Sequence, residues 1–209
     1  MIAAPFEYQA PTTVDEAIRL LSQLGDRGRV LAGGHSLIPI MKLRLAQPEV
    51  LIDIGRVGEL RYVRAESDRL AIGALTTHAE VLSDATIREQ CAVLAETAGH
   101  IGDAQVRNRG TIGGALAHAD PAADYPATIL ALDAEIVAQG PGGRRTVPAT
   151  EFFTGLFTTA LSPDELLVEV RVPLLGQGAG GAYLKRPNPA SHYAVVGVAA
   201  VVRLEGGRI

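Results

Sequence analysis

Helical and strand periodicities alternate along the chain. Thr13-Val14-Asp15-Glu16 has the spacing of a capping box, and Ala17, Ile18, Leu21 and Leu24 follow it on one helical face. Gly25 ends that run, and the apolar stretch Arg29 to Ala32 then predicts a strand. Gly33 and Gly34 break the chain, and Ser36 is placed to cap a helix carrying Leu37, Ile40, Met41 and Leu43. Val50 to Ile54 predicts a second strand. Arg61 to Arg64 and Leu70 to Gly73 flank a polar turn, as a hairpin does. Residues 77 to 99 have a helical pattern, and Ala127 to Leu132 predict a short helix.

A second hairpin is expected from Glu135 to Gln139 and Arg144 to Val147, turning on Gly140-Pro141-Gly142-Gly143. Leu166, Val168, Val170 and Val172 alternate with Glu169 and Arg171, the pattern of a half-buried strand. Gly176 to Gly181 is a glycine-rich connector and the best boundary in the sequence. Beyond it lie Ala182 to Lys185 and the apolar run Ala194 to Val202, which a lone strand pair cannot bury by itself. The natural polypeptide is therefore expected to continue past Ile209.

Composition narrows the function. The 209 residues suit one large domain or two small ones, and the net charge of −4 with no basic tract leaves no footprint for nucleic acid. No stretch approaches the ~18 apolar residues of a membrane span. The opening residues lack the charged and apolar regions of a signal peptide, so the expected location is cytoplasmic. The single cysteine, Cys91, excludes an intrachain disulfide and an all-cysteine iron–sulfur cluster within this chain. It sits in an apolar helical pattern and is expected to be plain core.

Two glycine motifs carry candidate chemistry. Ala32-Gly33-Gly34-His35-Ser36 follows a strand and precedes a helix. Glycines let the backbone approach a ligand, and N–H groups at a helix start favour an anion. No Lys follows, so this is not a P-loop; the physical alternatives are a pyrophosphate cradle and a simple glycine turn. Thr111-Ile112-Gly113-Gly114-Ala115 leads into His118-Ala119-Asp120-Pro121-Ala122-Ala123-Asp124. Small residues there admit a flat ligand, and Asp120 and Asp124 can accept from sugar hydroxyls; a tight turn with solvated carboxylates is the alternative. Two such loops in one chain suggest a two-point grip on a long dinucleotide.

Other patterns are set aside. Gly176 to Gly181 matches G-x-G-x-x-G, but a strand pattern follows it and Pro187 and Pro189 exclude the helix a nicotinamide site requires. His118, Asp120 and Asp124 have ligand-capable atoms in no familiar metal spacing, and His35, His78, His100 and His192 do not complete a set. No metal site and no general acid or base is assigned.

With these residues in view, the chain resembles the FAD subunit of molybdenum hydroxylases of the carbon monoxide dehydrogenase and xanthine dehydrogenase type. The resemblance is carried by Ala-Gly-Gly-His-Ser-Leu at 32 to 37, Thr-Ile-Gly-Gly at 111 to 114, His-Ala-Asp-Pro-Ala-Ala-Asp at 118 to 124 and the opening Pro5-Phe6-Glu7-Tyr8. It implies an α+β fold, the two-subdomain FAD-binding fold of the vanillyl-alcohol-oxidase (PCMH) type. Residues 1–175 would form that unit, with subdomains at about 1–55 and 56–175. Residues 178–209 would begin a smaller α+β C-terminal domain, incomplete here.

The resemblance further implies non-covalent FAD, held by Ala32, Gly33, Gly34, His35, Ser36 and Leu37 and by Thr111, Gly113, Gly114, Ala115, His118, Asp120 and Asp124. Ile101 and Leu161 would pack on the cofactor, Lys185 would lie near it, and Tyr193 would stand beside the flavin ring. Ala115 replaces a frequent Asn, which removes an amide contact worth ~1 kcal/mol. The implied role is electron relay between a molybdopterin-containing large subunit with its [2Fe-2S] small subunit and NAD, a quinone or oxygen. Two rivals are a self-sufficient flavin oxidase with flavin attached to His35, and a subunit-interaction module without flavin.

Overall fold

The computed structural model describes residues 2–204, 206 and 208. Two sheets organise the chain. Glu7–Gln9, Val50–Asp53 and Gly28–Leu31 form a parallel sheet with Val50–Asp53 in the centre. Parallel strands require crossovers, and the helix Val14–Leu24 supplies the one from Glu7–Gln9 across to the other edge strand, Gly28–Leu31. Thr13 caps this helix by accepting from the Glu16 N–H at 3.2 Å. The Glu16 carboxylate accepts from the Thr12 N–H at 2.9 Å, one residue earlier than a regular capping box. Val14, Ala17, Ile18 and Leu21 are its buried stripe, and Gly25 ends it at φ 52°.

The second sheet is antiparallel throughout, in the order Val63–Ala65, Arg69–Gly73, Leu166–Pro173, Glu135–Gly140, Gly143–Pro148. Both expected hairpins are present. The central strand departs from the simple alternation. A register shift between Leu167 and Glu169 changes the phase of its side chains. Leu166 and Val168 pack with Ile52, Ile54 and the first helix, whereas Leu167, Val170 and Val172 pack in the larger core on the other side. A bulge adds one residue to one strand, so a period-2 pattern cannot be carried across it.

The pattern over 77–99 resolves into three helices, His78–Ser83, Ala85–Gln90 and Ala92–Gly99. Thr77 and Glu80 form a complete capping box for the first. Asp84 breaks the run by accepting from the Ile87 N–H at 2.9 Å and capping the second. Short polar side chains compete with helical backbone bonds in this way. Cys91 lies at the second break, fully buried, with burial pushing its thiol up to about 11. Two further helices, Ala104–Arg107 and Ile112–His118, precede Tyr125–Ala131. No helix among the described residues is long and apolar enough to cross a membrane.

The expected connector at 176–181 is shorter than its glycines suggest. A strand begins at Ala179 and runs to Pro187, paired antiparallel with Ala194–Arg203. Gly181 is needed there for contact, since a Cβ would meet Val93 at 3.2 Å and the Ala200 carbonyl at 3.1 Å. Tyr183 is fully buried, while Leu184, Val195, Val196 and Val198 are exposed, as expected of an isolated pair.

Glu169 is the buried charge of the second sheet. Its carboxylate accepts from the Tyr62 hydroxyl at 2.5 Å and from Arg171 Nε at 2.6 Å, with Arg64 at 3.4 Å. Burial pushes its carboxyl up, but Tyr62, Arg171 and Arg64 outweigh this and hold it below its ordinary 4.5. The resulting stabilisation is complete above that ordinary value and is lost as pH falls through the depressed folded-state value. Glu169→Gln should lower stability at pH 7 by about 1–3 kcal/mol, from weakened charge-assisted bonds. Denaturant melts at pH 7 and in acid should show a smaller acid loss for the variant than for the wild type.

Candidate functional site

The strand Gly28–Leu31 delivers the chain directly into Ala32-Gly33-Gly34-His35-Ser36. Gly33 touches another loop. A Cβ there would strike the Arg109 carbonyl oxygen and lie 2.7 Å from Gly110 Cα. Gly34 adopts φ 79°, a conformation side chains disfavour. Among the described residues, the N–H groups of Gly34, His35 and Ser36 donate no hydrogen bond. Free N–H groups on a glycine loop are the donor set an anion requires.

The helix after this loop, Leu37–Lys42, has only six residues, and Ser36 occupies its N-cap position without a side-chain bond. The expected capping by Ser36 is therefore corrected: its backbone is helical, with φ −102° and ψ −52°, and its hydroxyl does not turn back. Leu43, expected on the helix's apolar face, lies past its end and is exposed.

The second motif uses its glycines differently. Thr111 caps Ile112–His118 by accepting from the Gly114 N–H at 3.1 Å. The Gly113 N–H donates to the Ala74 carbonyl at 2.9 Å. These two N–H groups are thus spent within the protein. What the glycines contribute is closeness: a Cβ on Gly113 would meet Ala74 Cβ at 2.5 Å. One on Gly114 would sit 3.5 Å from Ala32 Cβ, which places the two motifs face to face.

Between them is a cavity of about 700 Å³. It is lined by Ala32, Gly33, Gly34, His35, Ser36, Leu37, Ile101, Thr111, Gly113, Gly114, Ala115, His118, Asp120, Asp124, Leu161 and Tyr193. Small-molecule and cofactor sites typically span ~300–1,000 Å³. Free N–H donors, small residues and carboxylates in one lining suit an anionic, hydroxyl-bearing ligand.

Lys185 is the expected site residue that does not line the cavity. Its Nζ donates to the Asp124 carboxylate at 2.8 and 2.9 Å and to the His100 carbonyl at 2.8 Å. The Tyr183 hydroxyl donates to Asp124 Oδ1 at 2.7 Å. Lys185 thus lies behind Asp124, and its side chain is only 2% exposed. Two residues of the C-terminal hairpin fix the one buried carboxylate of the cavity wall. Asp120 accepts from the Ala122 N–H at 2.9 Å, and His118 packs against Phe157 with ring centroids 5.3 Å apart.

Sequence reasoning missed several parts of this wall. The Arg109–Gly110 backbone sits one residue before the motif as read, and Gly110 itself was the available signal. Phe157 lines the cavity with φ 54° while 58% exposed. His78 and Tyr125 line it as well, both buried.

An α+β protein with two glycine loops closed on a cofactor-sized cavity is a nucleotide-cofactor-binding protein. Comparison with known proteins makes this specific. Residues 4–175 match the family described as the FAD binding domain in molybdopterin dehydrogenase, and the chain belongs to that family. It is 49% identical over 209 residues to the carbon monoxide dehydrogenase medium chain of Hydrogenophaga pseudoflava, covering all of this chain and 73% of that one. The structure of carbon monoxide dehydrogenase from the same organism superposes with a TM-score of 0.96 at 50% identity, over 99% of this chain and 72% of the other. A reductase acting on UDP-N-acetylenolpyruvylglucosamine, from Thermus caldophilus, has a TM-score of 0.50 at 19% identity, over 82% of this chain and 56% of that one. That last likeness concerns the fold alone. The chain is accordingly an oxidoreductase component with FAD as its cofactor and the PCMH-type α+β fold.

Two substitutions probe the geometry. Gly33→Ala should force the two loops apart at a cost of about 1–3 kcal/mol, read by thermal melting, and should weaken FAD retention. Lys185→Met should cost about 3–5 kcal/mol by leaving Asp124 buried without its counter-charge; a loss below 1 kcal/mol would show that Asp124 finds water instead.

Proposed function

We propose that this chain is the FAD-binding subunit of a molybdenum hydroxylase, placed between the iron–sulfur clusters of a partner and a terminal acceptor. The observation that carries the reading is the single cavity onto which both glycine motifs open. The one cysteine of these 209 residues is buried, with its thiol pushed up to about 11, so they hold no all-cysteine cluster themselves. A [2Fe-2S] small subunit and a molybdopterin-containing large subunit are the partners this division of labour calls for. NAD, a quinone or oxygen would receive the electrons. When bound, FAD supplies the redox chemistry, taking up electrons singly and releasing them as a pair.

The chain's own residues bind and orient. The free N–H groups of Gly34, His35 and Ser36 would hold the pyrophosphate. Asp124, held in place by Lys185 and Tyr183, would accept from a cofactor hydroxyl. Ile101 and Leu161 would pack on the cofactor, and Tyr193 would stand beside the flavin ring. The small wall at Gly113, Gly114 and Ala115 would let it approach the helix.

The visible spectrum of the purified protein, before and after acid precipitation, tests this. Flavin bands near ~450 nm that pass into the supernatant are expected, since the cofactor is held without a covalent bond. Bands retained in the pellet would instead support attachment to His35. No flavin after incubation with excess FAD would sink the reading and leave an interaction module.

A further inference from the structure

Three buried side-chain atoms have no hydrogen-bond partner among the described residues: His78 Nδ1, Tyr125 Oη and Gln90 Oε1. His78 and Tyr125 both line the cavity between the glycine loops. Their rings are neighbours, with centroids 5.3 Å apart. His78 is 4% exposed and Tyr125 is fully buried. Buried polar groups are nearly always paired, so two unpaired ones on the same cavity wall require a reason. Leucine and phenylalanine would fill these places without an orphaned atom.

The position of His78 is tightly set. Its backbone N–H donates to the Gly110 carbonyl at 3.0 Å. It is the first residue of a helix fixed by the Thr77–Glu80 capping box, and Thr77 bridges to Thr111. The imidazole lies against Gly110, where a Cβ would meet Nε2 at 2.5 Å. Gly110 is also the residue that Gly33 touches. His78 therefore sits beside the junction of the two loops, and only glycine at 110 leaves room for its ring.

We infer that His78 is a further cofactor-contact residue, its imidazole hydrogen-bonding FAD beside the junction of the Gly33 and Gly110 loops, with the Tyr125 ring packed beside it. The inference rests on the FAD reading of the cavity. Burial first, then the nearby His35 and Arg107, push the His78 imidazole down to about 4, so it is neutral at pH 7. A neutral imidazole offers one donor and one acceptor nitrogen, and a phenol offers both on one oxygen. His78 can thus meet either a donor or an acceptor atom of the cofactor without bringing a charge of its own.

The test is a fluorescence titration of flavin-free protein with FAD, alongside apoprotein melting curves. His78→Leu should bind FAD about tenfold more weakly, the value of one lost hydrogen bond. Its apoprotein should melt at the wild-type temperature or above, because an orphaned polar group has been removed. His78→Gln should recover part of the affinity. A role in packing alone would move the two readings the other way, lowering the melting temperature and sparing affinity. A folded His78→Leu protein with wild-type FAD affinity overturns the inference. Should that variant fail to fold, the side-chain ¹⁵N resonances of His78 in wild-type protein decide: they shift on FAD addition if the contact is made, and unchanged resonances overturn it. A wild-type protein that binds no FAD would overturn the cofactor reading itself, an outcome visible before any variant is compared.

Discussion

The site depends on one backbone contact. Gly33 lies against the Arg109 carbonyl and Gly110 Cα at a separation that leaves no room for a Cβ. The first loop leaves the parallel sheet, and the second lies on the helical layer of the antiparallel sheet. Their contact joins the two sheets at the mouth of the cavity. The N–H groups of Gly34, His35 and Ser36 beside it donate no hydrogen bond among the described residues, and all three residues line the cavity. A side chain at 33 would separate the donors from the small wall opposite. Space and hydrogen-bonding capacity are therefore set by the same pair of glycines.

Electrostatics then divide the cavity. The donors of the first loop are dipoles of the backbone. In the wall, buried Asp124 is paired with Lys185 at 2.8 Å. A buried carboxylate left unpaired would be costly to keep charged. With its countercharge outside the cavity wall, Asp124 presents acceptor capacity to a ligand while the local charge is balanced. Lys185 acts through Asp124, and for that reason its distance from the cavity does not reduce its importance to it.

Much of this was legible in the sequence, for identifiable reasons. Thr13, Gly25 and the hairpin around 140–143 obey local rules, so the elements they bound were readable. The two glycine motifs were legible because each lies at the start of a helix, the first also directly after a strand, and those spacings are local. What escaped was tertiary. The helical pattern at 77–99 is continuous in sequence, but Asp84 prefers its own capping bond and breaks it. The bulge at Leu167 to Glu169 is set by the partner strand and leaves no mark on the alternation itself. Lys185 and Asp124 are 61 residues apart, and no periodicity announces their pairing. His78 carried no motif, and its unpaired nitrogen is a property of the folded cavity.

The displaced phase of the strand Leu166–Pro173 has a consequence for how the molecule comes apart. Because Leu166 and Val168 belong to one core and Leu167, Val170 and Val172 to the other, a single run of backbone is common to both. Neither core can open without withdrawing its half of that strand from the other. Cooperative units in proteins follow such shared elements. The parallel and antiparallel sheets are thus expected to melt in one all-or-none transition.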